Sequence, residues 1–122
     1  TSRSIQSLIN ELGEASDYFL PIEMDLTNNE DVKEAITKSI AYFEQIDVVV
    51  NNAGYALIGT LEELSEHEVK SNFDVNVFGS IHVIRNITPH FRKQNSGYIF
   101  NISSIGGYIG SFPGFGIYCA TK

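Results

Sequence analysis

A chain of 122 residues with 43% hydrophobic and 19% charged residues has the makeup of a soluble core and the length of one domain, too short for two. A formal net charge of −7 without any run of Lys or Arg lacks the basic footprint that nucleic acid or an anionic membrane requires, leaving a dissolved small molecule as the expected partner. No apolar stretch approaches the roughly 20 residues of a membrane span, and one cysteine, Cys119, with no signal-like opening segment points to a reducing cytoplasm.

Ile5, Leu8, Ile9 and Leu12 recur at helical spacing with Gly13 as a stop, which predicts a helix over 4–12. Tyr18 to Met24 reads as a strand. Thr27-Asn28-Asn29-Glu30 has the form of a capping box, and Val32, Ala35, Ile36, Ile40 and Phe43 make one apolar face of the helix behind it. Ile46 to Val50 is a short β-branched run of the kind buried in parallel sheets, closed by Asn51-Asn52-Ala53-Gly54. Ser65-Glu66-His67-Glu68 is a second capping box. Val69, Phe73, Val77, Ile81, Ile84, Thr88 and Phe91 continue one face through about seven turns, with a kink expected at Pro89. Tyr98 to Ile102 predicts another strand, followed by a glycine-rich loop from Gly106 to Gly116 and a helix starting near Tyr118.

Alternation of helix and strand implies parallel strands joined by right-handed crossovers, hence a doubly wound, Rossmann-like α/β/α domain with ligands at the carboxyl ends of its strands. The chain opens into a helix with no strand before it and stops at Lys122 inside an expected helix, so this single domain, 1–122, is expected to be incomplete at both ends. The usual G-x-G-x-x-G fingerprint is absent; Gly114-Phe115-Gly116 matches only its first half and follows no strand directly.

Tyr118-Cys119-Ala120-Thr121-Lys122 carries the strongest chemical signal. Residues four apart share a helix face, and a lysine ammonium beside a phenol favours the phenolate, which suits proton exchange with a hydroxyl or carbonyl. Tyr-x-x-x-Lys alone recurs by chance as a surface pair. Here it stands with Asn51-Asn52-Ala53-Gly54 after one strand, Asn76-Val77-Phe78-Gly79 inside the long helix, and Asn101-Ile102-Ser103-Ser104 after another strand.

In these four marks, in this order, the chain resembles the short-chain dehydrogenase/reductase family. The resemblance implies an oxidoreductase that moves a hydride between NAD(P) and an alcohol or carbonyl substrate. Tyr118 would be the general acid/base, Lys122 the residue that favours its ionised form and holds the nicotinamide ribose, Ser104 the donor to the substrate carbonyl, and Asn76 the anchor of a water in the proton relay. Asn52, Ala53 and Gly54 would pack against the adenosine half of the cofactor, and Asp25, with Leu26 beside it, would meet the adenine amine. Arg3 would pair with a 2′-phosphate, a lean toward NADP with NAD still possible. The family also implies a homo-oligomer. In its 3-2-1-4-5-6 order, the strand near Tyr18 and the one near Asp47 would be separated by two further strands, so these residues alone are not expected to form the native sheet.

Ser104 precedes Tyr118 by one residue more than the family usually shows, which suggests an insertion near Ser111-Phe112. Ser103 and Ser111 are the alternatives, with Ser103 expected to point to the opposite side of the strand end. Cys119 has no neighbour that would activate it, and His67, His82 and His90 lack metal-ligand spacing, so no metal site is expected. Tyr108, Phe112 and Phe115 either line a substrate pocket or close their loop onto the core. Asp25 and Arg3 have ordinary readings too, as a helix-entry residue and an exposed arginine. Two further functions fit the same residues: a cofactor-binding regulator without turnover, and a fragment unable to bind cofactor.

Overall fold

A computed structural model describes all of residues 1–122 and places five α-helices and two strands along the chain: α1 Ile5–Leu12, α2 Asn29–Phe43, β1 Val48–Asn51, α3 Glu66–Phe73, α4 Gly79–Gln94, β2 Tyr98–Asn101 and α5 Gly116–Thr121. A π-helical segment, Asp74–Phe78, joins α3 to α4, and a short 3₁₀ turn, Ile105–Gly107, follows β2. β1 and β2 pair in parallel with Val48 opposite Tyr98 and Asn51 opposite Asn101. The bonds from Tyr98 N–H to Asp47 O and from Ile102 N–H to Asn51 O, both 2.9 Å, extend the ladder at its two ends.

The α2 face built from Val32 and Ile36 meets Val83 and Ile87 of α4, and this cluster sits on Val49 and Ile99, which point to one side of the two strands. Their neighbours Val48, Val50, Tyr98 and Phe100 point to the other side and stay exposed. The period of two along each strand thus puts an apolar set on both faces, as expected for a sheet covered twice, while helices α2 and α4 cover one face within these residues. α1 buries none of its side chains.

The expected strand at Tyr18 to Met24 does not form. Ser2 alone bridges to Glu23, through Ser2 N–H to Ile22 O at 3.1 Å and Met24 N–H to Ser2 O at 2.9 Å. A ladder needs a partner along its whole length; here the chain offers one residue, Pro21 has no N–H to give, and Ser16 and Phe19 bond each other in a local turn. Between this bridge and β1 runs a groove of about 530 Å³, lined by Met24, Leu26, Val48 and Val50 among others.

Two local expectations are corrected. The cap of α2 is Asn28, whose side chain accepts from Glu30 N–H at 3.0 Å, instead of Thr27. Thr27 is occupied elsewhere: its N–H and hydroxyl both donate to Asp25 Oδ1, at 2.9 and 2.8 Å. The seven-turn helix is divided by the π segment, whereas it runs through Pro89 to Gln94 without a break. The Ser65–Glu68 capping box forms in full, Ser65 Oγ accepting from Glu68 N–H and Glu68 Oε2 accepting from Ser65 N–H.

Candidate active site

The carboxyl ends of β1 and β2 lie side by side, and the residues that follow them meet the π segment and the end of α5. A cleft of about 210 Å³ opens there, lined by Asn76, Asn101, Ile102, Ser103, Thr121 and Lys122 among others. Lys122 Nζ donates to Ile102 O at 2.7 Å, and Ser103 Oγ donates to Lys122 O at 2.8 Å, so the lysine is fixed at both its ammonium and its backbone by the residues after β2. An ammonium has three N–H donors; one is used here and two are free to serve a ligand.

Ser104 and Tyr118 converge on Gly106. A Cβ on that glycine would lie 3.6 Å from Ser104 Oγ and 3.6 Å from Tyr118 Cε1. Ser104 Oγ accepts from Gly106 N–H at 3.2 Å, which holds the oxygen in place and leaves its own proton free to be donated. Tyr118 is half-buried, its ring edge-on to Phe115 with centroids 6.2 Å apart, and Phe115 meets Phe112 in the same way at 6.4 Å. Ser103 turns instead toward Lys122, and Ser111 is exposed in the loop.

Asn76 stands in the π segment and is buried. Its Oδ1 accepts from Tyr55 N–H at 3.0 Å, and its Nδ2 donates to Tyr55 O at 3.0 Å and to Thr121 Oγ1 at 2.9 Å. Both ends of the amide are therefore occupied by protein groups. Gly54 lies against this amide: a Cβ there would sit 2.9 Å from Asn76 Oδ1 and 3.7 Å from Lys122 Nζ, so only glycine lets the loop after β1 pass.

The residues expected to touch a cofactor gather in a second groove of about 750 Å³, whose lining includes Arg3, Asp25, Leu26, Ala53 and Gly54. Asn52 lines the apolar groove beside β1 instead. Arg3 is exposed and forms none of the three ion pairs of the chain. The two hydrogen bonds from Thr27, backbone first and hydroxyl second, hold the Asp25 carboxyl below the usual carboxylate range, helped weakly by Arg3 and opposed by partial burial. They use Oδ1 and leave Oδ2 open. A group whose folded value is lowered stabilises the fold above the ordinary aspartate value and loses that contribution as pH falls through the folded value. Asp25→Asn in the full-length protein is thus expected to cost at most about 1 kcal/mol above roughly pH 4, because the carboxylate is partly solvated, with the gap closing in more acidic buffer. Thermal melts across a pH series check this; a gap that widens on acidification would contradict it.

Sequence reasoning passed over what clamps Leu26 and the start of α2. His82 donates from Nδ1 to Leu26 O at 2.9 Å, and Asn86 Nδ2 donates to Asn29 Oδ1 at 3.0 Å. Gly79 brings α4 close enough that a Cβ would lie 2.9 Å from Leu26 Cβ. His82 and Asn86 are four apart and so share a helix face, a polar pair that the apolar periodicity around it hides.

With the geometry in place, comparison with known proteins identifies the class. A short chain dehydrogenase family model matches residues 1–122, and the chain belongs to that family. It is 43% identical over 103 residues to an uncharacterized oxidoreductase of Schizosaccharomyces pombe, covering 84% of this chain and 43% of that protein. The structure matches a short chain dehydrogenase/reductase from Burkholderia phymatum in complex with NAD, with TM-score 0.81, 29% identity, and 98% and 41% of the two chains covered. It also matches ElxO with NADP bound, with TM-score 0.84, 30% identity, and 95% and 47% covered. The chain spans less than half the length of these relatives. The parallel α/β, Rossmann-like architecture read from the sequence is the fold of this family. No helix is long and apolar enough to cross a membrane.

Proposed function

We propose that the protein to which these residues belong is an NAD(P)-dependent oxidoreductase acting on an alcohol or carbonyl substrate. The observation that supports this reading is that Ser104, with its hydroxyl proton free, and the half-buried Tyr118 both lie beside Gly106, while Lys122 Nζ bonds the chain after β2 at Ile102 O, all following the carboxyl end of a parallel strand. Ligands of open α/β sheets bind at such strand ends. The relatives named above include one bound to NAD and one bound to NADP, which supports a nicotinamide cofactor.

The residues present fit that cofactor. Gly54 leaves room beside Asn76 and Lys122 that any side chain would fill, and Arg3, Asp25, Leu26 and Ala53 line the adjoining groove, with Asn52 following β1 next to it. Asp25 Oδ2 would accept from an adenine amine, Arg3 would meet a 2′-phosphate, and the free N–H groups of Lys122 would donate to ribose hydroxyls. When bound, the cofactor supplies or accepts the hydride. In the reducing direction Ser104 Oγ–H donates to the substrate carbonyl oxygen and Tyr118 gives up its phenolic proton to that oxygen. In the oxidising direction Tyr118 takes the proton back from the hydroxyl. Lys122 follows Tyr118 by four residues at the end of α5, and Asn76 would anchor the proton relay.

Absorbance and fluorescence of NADPH and NADH, followed with the full-length protein and a panel of ketones, test the reading. Consumption of either establishes turnover; binding without consumption marks a regulator; no binding marks a fragment or fold that cannot take the cofactor. The preference for NADP rests on Arg3. Arg3→Ala is expected to weaken NADPH by about 10- to 100-fold while leaving NADH nearly unchanged, the scale of losing one charge-assisted phosphate contact. Equal effects on both cofactors would remove the basis for NADP.

A further inference from the structure

Three polar side chains of this chain are buried, Asn72, Asn76 and Thr121, and they bond to one another. Buried polar groups are costly unless satisfied, and here no buried side-chain nitrogen or oxygen lacks a partner. Asn72 Nδ2 donates to Tyr55 O at 3.0 Å, and Thr121 Oγ1 lies 3.2 Å from Asn72 Oδ1 and 2.8 Å from Tyr118 O.

A count of protons orders the knot. Tyr55 N–H can only donate, so it fixes Asn76 Oδ1 as acceptor and turns Asn76 Nδ2 toward Thr121. Thr121 Oγ1 then accepts from Asn76, and its single proton goes to Asn72 Oδ1 or to Tyr118 O. Each group is held by the role its neighbour imposes. Thr121 is also the one buried residue of α5, so directional hydrogen bonds fix this short helix at its buried point, beside the packing of Tyr118 on Phe115. The helix carries Tyr118 one turn before Thr121 and Lys122 immediately after it.

We infer that Asn72 and Thr121 are positioning residues: their bonds through Asn76 lock α5 to the π turn and to the loop after β1, and so set Tyr118 and Lys122 relative to Ser104. This rests on the oxidoreductase reading above and adds to it two residues that act through Asn76 and α5.

The test compares Thr121→Val, which keeps shape and methyl but loses the hydroxyl, with Thr121→Ser, which keeps the hydroxyl, in the full-length protein. Misplacement on the ångström scale predicts that Thr121→Val lowers kcat by about 10- to 100-fold with little change in KM for the carbonyl, while Thr121→Ser stays within about threefold of wild type. A residue that merely fills space would show the reverse order, with valine the better tolerated. Should the valine variant not fold, Thr121→Ala gives the same comparison against serine. Wild-type kcat in Thr121→Val, or equal losses in valine and serine, overturns this inference alone. A wild-type protein that consumes neither NADPH nor NADH with any carbonyl overturns the oxidoreductase reading and this inference with it.

Discussion

Tyr118→Phe in the full-length protein is expected to lower carbonyl-dependent turnover by about 10²- to 10⁴-fold, the range spanned by a positioned acid or base. The variant keeps the ring that packs against Phe115 and lies beside Gly106, and removes only the hydroxyl. Folding and cofactor binding are therefore expected to survive. Steady-state rates with a thermal melt and a cofactor fluorescence titration on the same preparation separate these quantities. Turnover within a few fold of wild type would move the proton-transfer role to another group, with Ser104 next in line.

The second large effect is expected at Gly107. A Cβ there would lie 2.5 Å from both the carbonyl carbon and the oxygen of Lys122, and 3.0 Å from Ser103 Oγ. Backbone cannot swing aside as a side-chain tip can, so Gly107→Ala must displace the end of α5, the turn after β2, or both. Overpacking of this kind costs about 1–3 kcal/mol. The bond from Ser103 Oγ to Lys122 O lies in the same contact, so the lysine should move off its mark and kcat/KM fall by about 100-fold, as small misplacements in active sites do. Kinetics and hydrogen exchange at α5 read the two effects together. Unchanged kinetics with unchanged exchange would contradict a close contact between Gly107 and the Lys122 backbone.

Much of this arrangement is legible from residue order. The apolar spacing of Val32, Ala35 and Ile36 marks the face of α2 that packs, and the β-branched run before Asn51 marks β1, but on α4 the residues that meet α2 are Val83 and Ile87, while Ile81 of the expected face is exposed. Parallel pairing follows from the alternation of elements and places Asn51 opposite Asn101, so the segments after both strands leave the same end of the sheet. The Ser65 capping box is visible because nothing else competes for Ser65. At Thr27 a competitor exists: Asp25, two residues back, takes both its donors, and the cap passes to Asn28.

What the residue order hides is set by partners far along the chain. The strand near Tyr18 depends on a neighbour that only Ser2 provides. The π turn carries no local signature, since Asp74 to Phe78 continues the same helical periodicity, and the turn shows itself only through Asn76 reaching Tyr55 and Thr121. Asn72 reads as an unremarked polar residue between Val69 and Phe73, although it lies one turn before Asn76 on the same face. A polar pair at that spacing beside an apolar stripe is the signal that could have found it.

The central claim is that this site moves a hydride. NADPH, and separately NADH, carrying deuterium at the hydride position of the nicotinamide would be incubated with the full-length protein and the carbonyl panel, and the products read by mass spectrometry. An alcohol that gains one deuterium on its carbinol carbon, and gains none with Tyr118→Phe, is the predicted result. Cofactor that binds and comes back with its label intact, with no labelled alcohol formed from any carbonyl, would contradict it.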